Sequence, residues 1–162
     1  MTGRSLLTAC AGASFSEVLV SMAILPLGLM GAIGAFHAAE ETIAYGVLAS
    51  RALAMAQSRI EAKRGAQWDR LLADDLNHDG MPDIIMHDDG QGGDLLAGDG
   101  VYSASHQEGG ISLTWTVTPS RGVNLSASGH VVLEVVASYG NGQRRREVKL
   151  VTMRSNPVFV GQ

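Results

Sequence analysis

An uncharged stretch of nineteen residues, Val18–Phe36, constrains the fold of this chain more than any other sequence feature. As an α-helix that rises 1.5 Å per residue, it would be about 28 Å long, close to the thickness of the hydrocarbon core of a bilayer. A buried core helix is the alternative, but a chain of 162 residues offers little other material to cover every face of it. The sequence therefore predicts a membrane-embedded helix.

Two processed N-terminal signals are alternatives to this interpretation. A secretory signal peptide carries its small-residue cleavage site after the apolar core, whereas here the small residues Ala11–Ala13 lie before it. Leu7–Cys10 matches a lipoprotein cleavage box, but such a signal needs a longer apolar run ahead of its cysteine. Because Cys10 is the only cysteine, an internal disulfide and a thiolate metal cluster are both excluded.

The charge distribution argues against nucleic-acid binding. The formal net charge is −4, and eight of the sixteen acidic side chains fall within residues 74–99, which contain no Lys or Arg. A basic surface that could hold a phosphate backbone is therefore not expected. The sequence also contains no histidine pair at metal-ligand spacing, no nucleophile motif and no phosphate-binding glycine loop. We predict no catalytic residue, no organic cofactor and no enzymatic activity.

A glycine and a glutamate stand at a defined spacing before the apolar run, in the segment Gly12-Ala13-Ser14-Phe15-Ser16-Glu17-Val18. This segment resembles the class III signal of type IV pilins and pseudopilins. In that family the prepilin peptidase cuts after the glycine, and the fifth residue of the mature chain is glutamate. Cleavage after Gly12 would make Glu17 the fifth residue. The family usually begins its mature chain with phenylalanine or methionine, so Ala13 is a departure that bears on N-methylation.

The resemblance extends through residues 17–31 and 52–61 and is closest to the PilV-like minor pilins. It implies a structural subunit that takes part in initiation and assembly of a type IV pilus fibre, with other minor pilins at the tip. The implied partners are major and minor pilin subunits, the prepilin peptidase, the inner membrane and a tip adhesin. The precursor would lie in the bacterial inner membrane, and the mature protein in the extracellular pilus.

Two other functions remain open at this point. The first is a GspI-like minor pseudopilin of a type II secretion system, since the glycine–glutamate motif does not separate the two subfamilies. The second belongs to a different class, a calcium-binding surface protein held by a membrane anchor that is not cleaved. The start of the native chain, at Ala13 or at Met1, would separate the pilin group from the anchored protein.

The glycine–glutamate motif also has an electrostatic interpretation that does not depend on the family resemblance. An N-terminal amine freed at Ala13 is positive and Glu17 is negative, and each needs an opposite partner in surroundings of low dielectric constant. We therefore expect Glu17 of one subunit to pair with the Ala13 amine of an adjacent subunit and to set the axial register of the filament.

The resemblance implies an α+β type IV pilin fold, in which a long N-terminal helix packs on a small antiparallel β-sheet. Beyond Phe36 the pattern predicts an amphipathic continuation of the helix. Its apolar residues are Ile43, Val47, Met55 and Ile60, and they alternate with the charged residues Glu40, Glu41, Arg51, Arg59 and Lys63. The helix is expected to end near Gly65, with Trp68 and the next leucines seating it. The predicted segments are the leader 1–12, the apolar helix 13–36, the amphipathic helix 37–66, an acidic loop region 67–110 and the sheet 111–162.

Three strands are predicted from the pattern of the last fifty residues. Residues 111–118 alternate between apolar and polar side chains with a period of two, and residues 131–138 and 144–153 form two further strands. The Asn-Gly pair in Tyr139–Gly142 predicts a tight hairpin turn between the last two, because it tolerates positive φ angles. Arg144–Arg146 is interpreted as a solvated strand start, with a docking patch for an acidic neighbour as the alternative.

A calcium site is predicted in the acidic loop. Oxygen-bearing side chains recur at relative positions 1, 3, 5 and 9 from Asp75, and Gly80 at position 6 permits a sharp turn. The segment resembles the short calcium-binding loops of secreted repeat proteins. The implied ligands are Asp75, Asn77, Asp79, Asp83 and the carbonyl oxygen of Met81. A flexible solvated loop is the alternative. Residues 88–99 are interpreted as turns, with a second cation site as the alternative.

Overall fold

A computed structural model gives the structure of the chain, and it describes residues 14–120 and 124–159. One long helix, α1, covers Phe15–Gly65. Its first turn is closed by the backbone N–H groups of Glu17 and Val18, which both donate to the Ser14 carbonyl oxygen. The chain divides after Ile43 into two compact units, and α1 contributes to both of them. The predicted helix of about fifty residues is therefore confirmed.

The first unit consists, in its described part, of the N-terminal portion of α1. Every side chain from Phe15 to Phe36 is exposed, including large apolar ones such as Leu27, Met30 and Phe36, each of which is at least 70% exposed. By length and composition the helix is able to cross a membrane, with a mean hydropathy of 2.1 over its most apolar window. An apolar helix surface of this extent is stable only when lipid or other protein covers it.

Six strands follow the helix within the described residues. The first two, β1 and β2, form a short antiparallel ladder, and the other four form one antiparallel sheet in the order β3-β4-β5-β6. The coarse prediction of an α+β chain with a long N-terminal helix and antiparallel sheets is confirmed. The strands are β1 Ala73–Asp74, β2 Ile84–Ile85, β3 Tyr102–Glu108, β4 Ile111–Pro119, β5 His130–Tyr139 and β6 Arg146–Ser155.

The core of the second unit lies between the sheet and the C-terminal part of α1. Alternate residues of β4 and β5 point into it, because successive side chains of a strand lie on opposite faces. Trp115 is the largest of the fully buried side chains, at 1% exposed. The inward residues of these two strands are Ile111, Leu113, Trp115, Val117, Val131, Leu133, Val135 and Ala137.

The sheet begins earlier than the sequence pattern indicated. Tyr102–Glu108 forms β3, which pairs with β4 from Tyr102↔Val117 to Glu108↔Ile111. This strand lies within the region predicted as an acidic loop, 67–110. Its inward positions are held by tyrosine, alanine and histidine rather than by large aliphatic side chains, so its period of two is hard to recognise. His87 forms an isolated bridge to Ser103 beside this strand.

The connection between β5 and β6 differs from the predicted tight turn. Asn141 has φ −124°, and it precedes a short 3-10 helix, Gly142–Arg144, so six residues separate the two strands. Positive φ angles occur at Gly140, 82°, and at Gly142, 53°, but not at Asn141, and a Cβ added at Gly140 would lie 2.7 Å from the Arg144 carbonyl oxygen. The hairpin is confirmed, whereas its predicted Asn-Gly turn geometry is wrong. Arg146 begins β6, as expected for a solvated strand start.

The helix stripe that packs on the sheet matches the predicted one only in part, since Met55 and Ile60 lie on it and Ile43 and Val47 do not. Ile43 and Val47 are 66% and 63% exposed, whereas Arg59 is largely buried and Lys63 is fully buried. Successive residues of an α-helix are about 100° apart around its axis. Val47 therefore points away from the stripe to which its neighbour Leu48 belongs. The buried and half-buried members of the stripe are Leu48, Ala49, Ala52, Met55, Ala56, Ile60 and Lys63.

The residues that follow α1 pack against the second unit, as expected. Leu71 is fully buried, and the half-buried indole of Trp68 donates to the Leu125 carbonyl oxygen at 3.2 Å. Arg154 of β6 adds a contact that the sequence did not predict. Its guanidinium donates to the carbonyl oxygens of Lys63 and Ala66, which helix geometry leaves without partners at a C-terminus.

Candidate functional site

A buried ion cluster joins the helix to the base of the acidic loop. The Asp74 side chain is 3% exposed, and its Oδ1 accepts a hydrogen bond from Arg59 Nη1 at 2.9 Å. Its Oδ2 lies 2.8 Å from Lys63 Nζ and also accepts a 2.8 Å hydrogen bond from Trp115 Nε1. We call Arg59, Lys63 and Asp74 the ion triad.

Each cation of the ion triad has a second contact. Lys63 Nζ donates to the Leu71 carbonyl oxygen at 2.6 Å, and the Arg59 guanidinium lies 4.8 Å from the centre of the Trp115 ring. Desolvation lowers the pKa of Lys63 below its ordinary value, and the neighbouring Asp74 carboxylate only partly offsets this effect. Such a cluster is stable only while all its members are paired, because an isolated buried charge is strongly unfavourable.

Sequence reasoning missed the ion triad. It placed Arg59 and Lys63 on a solvated helix face and counted Asp74 only as part of an acidic run. The sequence did contain a signal for the triad. Two cations four residues apart lie on one helix face, and Asp74 follows the apolar residues 71–73 after the helix. The fold was needed to show that this face turns toward the sheet.

The short hairpin β1–β2 closes the acidic loop directly beside the ion triad. Asp74 pairs with Ile84, and the backbone N–H of Asp83 donates to the Asp74 carbonyl oxygen at 2.8 Å. Two residues take left-handed backbone conformations within the loop, His78 with φ 63° and Gly80 with φ 91°. The predicted sharp turn at Gly80 is therefore confirmed.

The structure brings three of the predicted ligand side chains together. Asn77 Nδ2 lies 3.1 Å from Asp79 Oδ2 and 3.4 Å from Asp83 Oδ1. Met81, whose carbonyl oxygen is the fifth predicted ligand, donates its backbone N–H to Asp79 Oδ1 at 2.8 Å. Carboxylate and amide oxygens on a tight loop are donors that suit a hard divalent cation. These residue types suit the predicted calcium ion, whereas the Asn77 atom that faces the two carboxylates is its amide nitrogen, a hydrogen-bond donor.

Asp75, the first predicted ligand, has its carboxylate turned toward the loop backbone. Oδ1 accepts from the N–H of His78 at 2.6 Å and of Asp79 at 3.2 Å, and Oδ2 accepts from Gly80 N at 2.8 Å. Asp83 Oδ2 closes the loop in the same way, with hydrogen bonds from Leu76 N and Asn77 N. These bonds order the loop around its carboxylates.

The hydrogen bonds at Asp75 give a testable pH dependence. Desolvation raises the pKa of Asp75, but the N–H donors of Gly80, His78 and Asp79 outweigh it, so this pKa lies below its ordinary value. A carboxyl with a depressed pKa in the folded state contributes stability above its unfolded pKa, which is lost as the pH falls through the folded pKa. We expect wild type and Asp75→Asn to differ in unfolding midpoint at neutral pH and to converge in acid. A difference that persists at pH 2 would contradict this.

A second group of carboxylates lies outside the predicted ligands. Oxygen atoms of Asp88, Asp94 and Asp99 all lie within 4.8 Å of one another. Asp88 accepts hydrogen bonds from the N–H groups of Gly98, Asp99 and Gly100, and Asp94 accepts from Gly90 N at 2.7 Å. These side chains cap backbone turns, in agreement with the interpretation of residues 88–99 as turns.

Glu17, one of the three residues predicted for processing and assembly, lies at the start of the apolar helix. Glu17 is exposed in the first turn of α1, and the Ser21 hydroxyl donates to its carbonyl oxygen at 2.8 Å. Gly12 and Ala13 lie outside the described residues. The predicted pairing of Glu17 with the Ala13 amine of an adjacent subunit therefore stays a prediction. The described part of this segment thus presents one carboxylate at the head of an exposed apolar surface.

Comparison of this chain with protein-family models, with curated proteins and with solved structures gave no match.

Proposed function

We propose that the chain is a minor type IV pilin, a structural subunit that takes part in initiation and assembly of a pilus fibre together with other pilin subunits. The observation that carries this proposal is the apolar part of α1, Phe15–Phe36, in which every side chain is exposed. Burial of one large apolar side chain contributes about 1.5–3 kcal/mol, so the uncovered segment gains greatly from a surrounding of lipid or of similar helices. A bilayer supplies that surrounding before assembly, and a helical filament core supplies it afterwards.

The position of Glu17 supports an assembly subunit over a simple anchor. A carboxylate beside Val18 at the head of an apolar helix is unfavourable in a membrane or in a filament core unless it is paired. A processed N-terminus at Ala13 would supply a positive amine four residues away along the chain. In a fibre this amine, from a neighbouring subunit, would neutralise Glu17 and define the axial offset between subunits.

The start of the native chain tests this proposal. Mass spectrometry of protein purified from its own cells should give a chain that begins at Ala13. A Gly12→Val variant should keep its first twelve residues and remain in the membrane fraction, because the predicted cleavage site is lost. A native chain that begins at Met1 would refute the pilin assignment and favour an anchored surface protein.

Co-purification then separates the two pilin-like alternatives. Recovery with sheared pilus fibres is the expected result for a minor pilin. Recovery only with a type II secretion complex would instead identify a GspI-like minor pseudopilin. In both cases the same chemistry of helix and carboxylate applies, so the two differ only in their partners.

The calcium site at residues 75–83 stays a prediction, and we propose that its role is structural, because the loop is closed by the hairpin beside the ion triad. Added calcium should raise the thermal midpoint of the full chain in detergent, and chelator should reverse the rise. Asp79→Ala should abolish this response, since Asp79 bridges Asn77 and Met81. Asp69→Ala, which removes an exposed carboxylate outside the loop, is the matched control. Identical melting curves with calcium and with chelator would exclude the site.

A further inference from the structure

Four asparagine or aspartate residues in the sequence are followed directly by glycine. Such a pair is chemically reactive, because the glycine has no side chain that keeps its backbone nitrogen away from the side-chain carbonyl carbon of the residue before it. Reaction requires these two atoms to meet, so hydrogen bonds that hold either of them elsewhere oppose it. The four pairs are Asp79-Gly80, Asp89-Gly90, Asp99-Gly100 and Asn141-Gly142.

The three Asp-Gly pairs are held by the same two hydrogen bonds. In each pair the glycine N–H donates to Oδ2 of a second aspartate, and the aspartate of the pair accepts at Oδ1 from the residue after the glycine. The first bonds are 2.8 Å from Gly80 to Asp75, 2.7 Å from Gly90 to Asp94 and 2.9 Å from Gly100 to Asp88. The second bonds come, in chain order, from the N–H groups of Met81, Gln91 and Val101. The glycine nitrogen and the carboxyl group are therefore both engaged elsewhere.

The pair Asn141-Gly142 has neither bond. Within residues 14–120 and 124–159, the Gly142 N–H has no hydrogen-bond acceptor and the Asn141 side chain has no hydrogen-bond partner. Both residues are exposed and line a cavity of about 610 Å³. A Cβ added at Gly142 would meet no atom within 4 Å. Solvent therefore reaches this pair, and no described contact holds its nitrogen and its amide apart.

The backbone around Asn141 is held, in the described part of the chain, by one short 3-10 turn. The N–H of Arg144 donates to the Asn141 carbonyl oxygen at 3.1 Å, and the N–H of Arg145 donates to that of Gly142 at 3.2 Å. Hydrogen bonds of 3-10 turns have poorer geometry than those of α-helices, and exposed turns open locally at low free-energy cost. Rotation about the ψ angle of Asn141, which brings the Gly142 nitrogen toward the side chain, is therefore accessible.

We propose that Asn141 is a site of spontaneous covalent modification, at which the Gly142 nitrogen attacks the side-chain amide and converts it into a carboxylate. A bond forms between the Gly142 nitrogen and Asn141 Cγ, and the bond between Cγ and Nδ2 breaks. Nδ2 leaves as ammonia with the proton that the Gly142 nitrogen gives up. Water then opens the cyclic imide, at Cγ to give aspartate or at the main-chain carbonyl carbon to give isoaspartate. Water is the only other reactant.

The modification changes the charge of the connection between β5 and β6. Residues 140–146 contain three arginines and no acidic residue, so the new carboxylate cancels one of three positive charges. Arg144, Arg145 and Arg146 are all exposed, so the change is presented at the surface. The inference does not depend on a pilin function or on bound calcium.

Peptide mapping by mass spectrometry tests the proposal on the full chain in detergent, incubated at neutral pH. The peptide that contains Asn141 should gain the mass difference between NH₂ and OH and should separate into aspartate and isoaspartate forms. Asn141→Asp supplies the standard for the aspartate form. A folded chain in which Asn141 stays unconverted, while the same chain in denaturant is converted, would overturn the proposal.

Asp89→Asn is the matched variant, because it places a second Asn-Gly pair at an exposed position where the glycine N–H is bonded to Asp94. In the folded variant, conversion at position 141 should be at least about tenfold faster than conversion at position 89. In denaturant the two rates should agree within about threefold, because the hydrogen bonds are then lost. Equal rates in the folded variant, or a tenfold difference that persists in denaturant, would show that the hydrogen bonds do not select Asn141, and the proposal would fail.

Discussion

Replacing Asp74 with leucine is expected to lower the free energy of unfolding by about 3–5 kcal/mol, the usual effect of removing one partner from a buried ion pair. The carboxylate lies 2.9 Å from Arg59 and 2.8 Å from Lys63, and the Trp115 indole N–H also loses its acceptor. Two cations would be left buried without a counter-charge. Chemical unfolding of the full chain in detergent, followed by fluorescence of the core tryptophan, measures the effect.

The matched control is Glu108→Ala, which breaks an exposed ion pair between the same helix and the four-stranded sheet. Glu108 and its partner Arg51 are 59% and 47% exposed, so solvent screens their attraction. We expect a change of less than about 1 kcal/mol in this control. Equal effects of the two substitutions would show that Asp74 is not electrostatically buried in solution. Restoration of stability when Asp74→Leu is combined with Arg59→Met and Lys63→Met would confirm that unpaired charge, and not lost volume, causes the instability.

Glu17→Ala should leave membrane insertion intact and reduce recovery of the protein in sheared fibres by at least about tenfold, corresponding to loss of about 1.4 kcal/mol or more per subunit contact. The physical reason is the same as at Asp74, since a charge in surroundings of low dielectric constant requires an opposite partner. In the variant, the amine of the proposed neighbouring subunit would be buried alone. Quantitative immunoblots of membrane and fibre fractions give the ratio.

Glu61→Ala is the control for this second substitution. Glu61 is exposed on the same helix, outside the apolar segment, and it pairs with Arg64 at 2.7 Å. Its removal should change neither fraction. Normal recovery of Glu17→Ala in fibres would remove the proposed role of the carboxylate, and loss of the variant from the membrane fraction would show that Glu17 acts in insertion instead.

Local patterns in the sequence account for much of the secondary structure. The period of two along residues 111–118 and 131–138 predicted β4 and β5, because strand residues alternate between faces whatever they pack against. The length and composition of the apolar run predicted the first part of α1, because these too are properties of neighbouring residues and do not depend on tertiary contacts. The predicted turn at Asn141 failed because a short 3-10 helix, Gly142–Arg144, takes up the residues after it.

The acidic loop was predictable only in part. The spacing of Asp75, Asn77, Asp79 and Asp83 indicated a tight turn around oxygen-bearing side chains, and the structure has that turn. The sequence did not indicate that both carboxylate oxygens of Asp75 would accept hydrogen bonds from backbone N–H groups. Such bonds depend on the loop being closed by the β1–β2 ladder, which is only two residues long on each side.

The sequence by itself determined the long apolar helix, its single leading carboxylate and the alternation of the central strands, since these properties follow from neighbours along the chain. Tertiary structure alone decided which face of α1 meets the sheet, and with it that Arg59 and Lys63 are buried against Asp74. The physical reason is that a charged residue on a helix is stable either in water or beside a counter-charge, and that counter-charge is able to come from a residue far away in the sequence. Only the fold brings residue 74 back to residues 59 and 63.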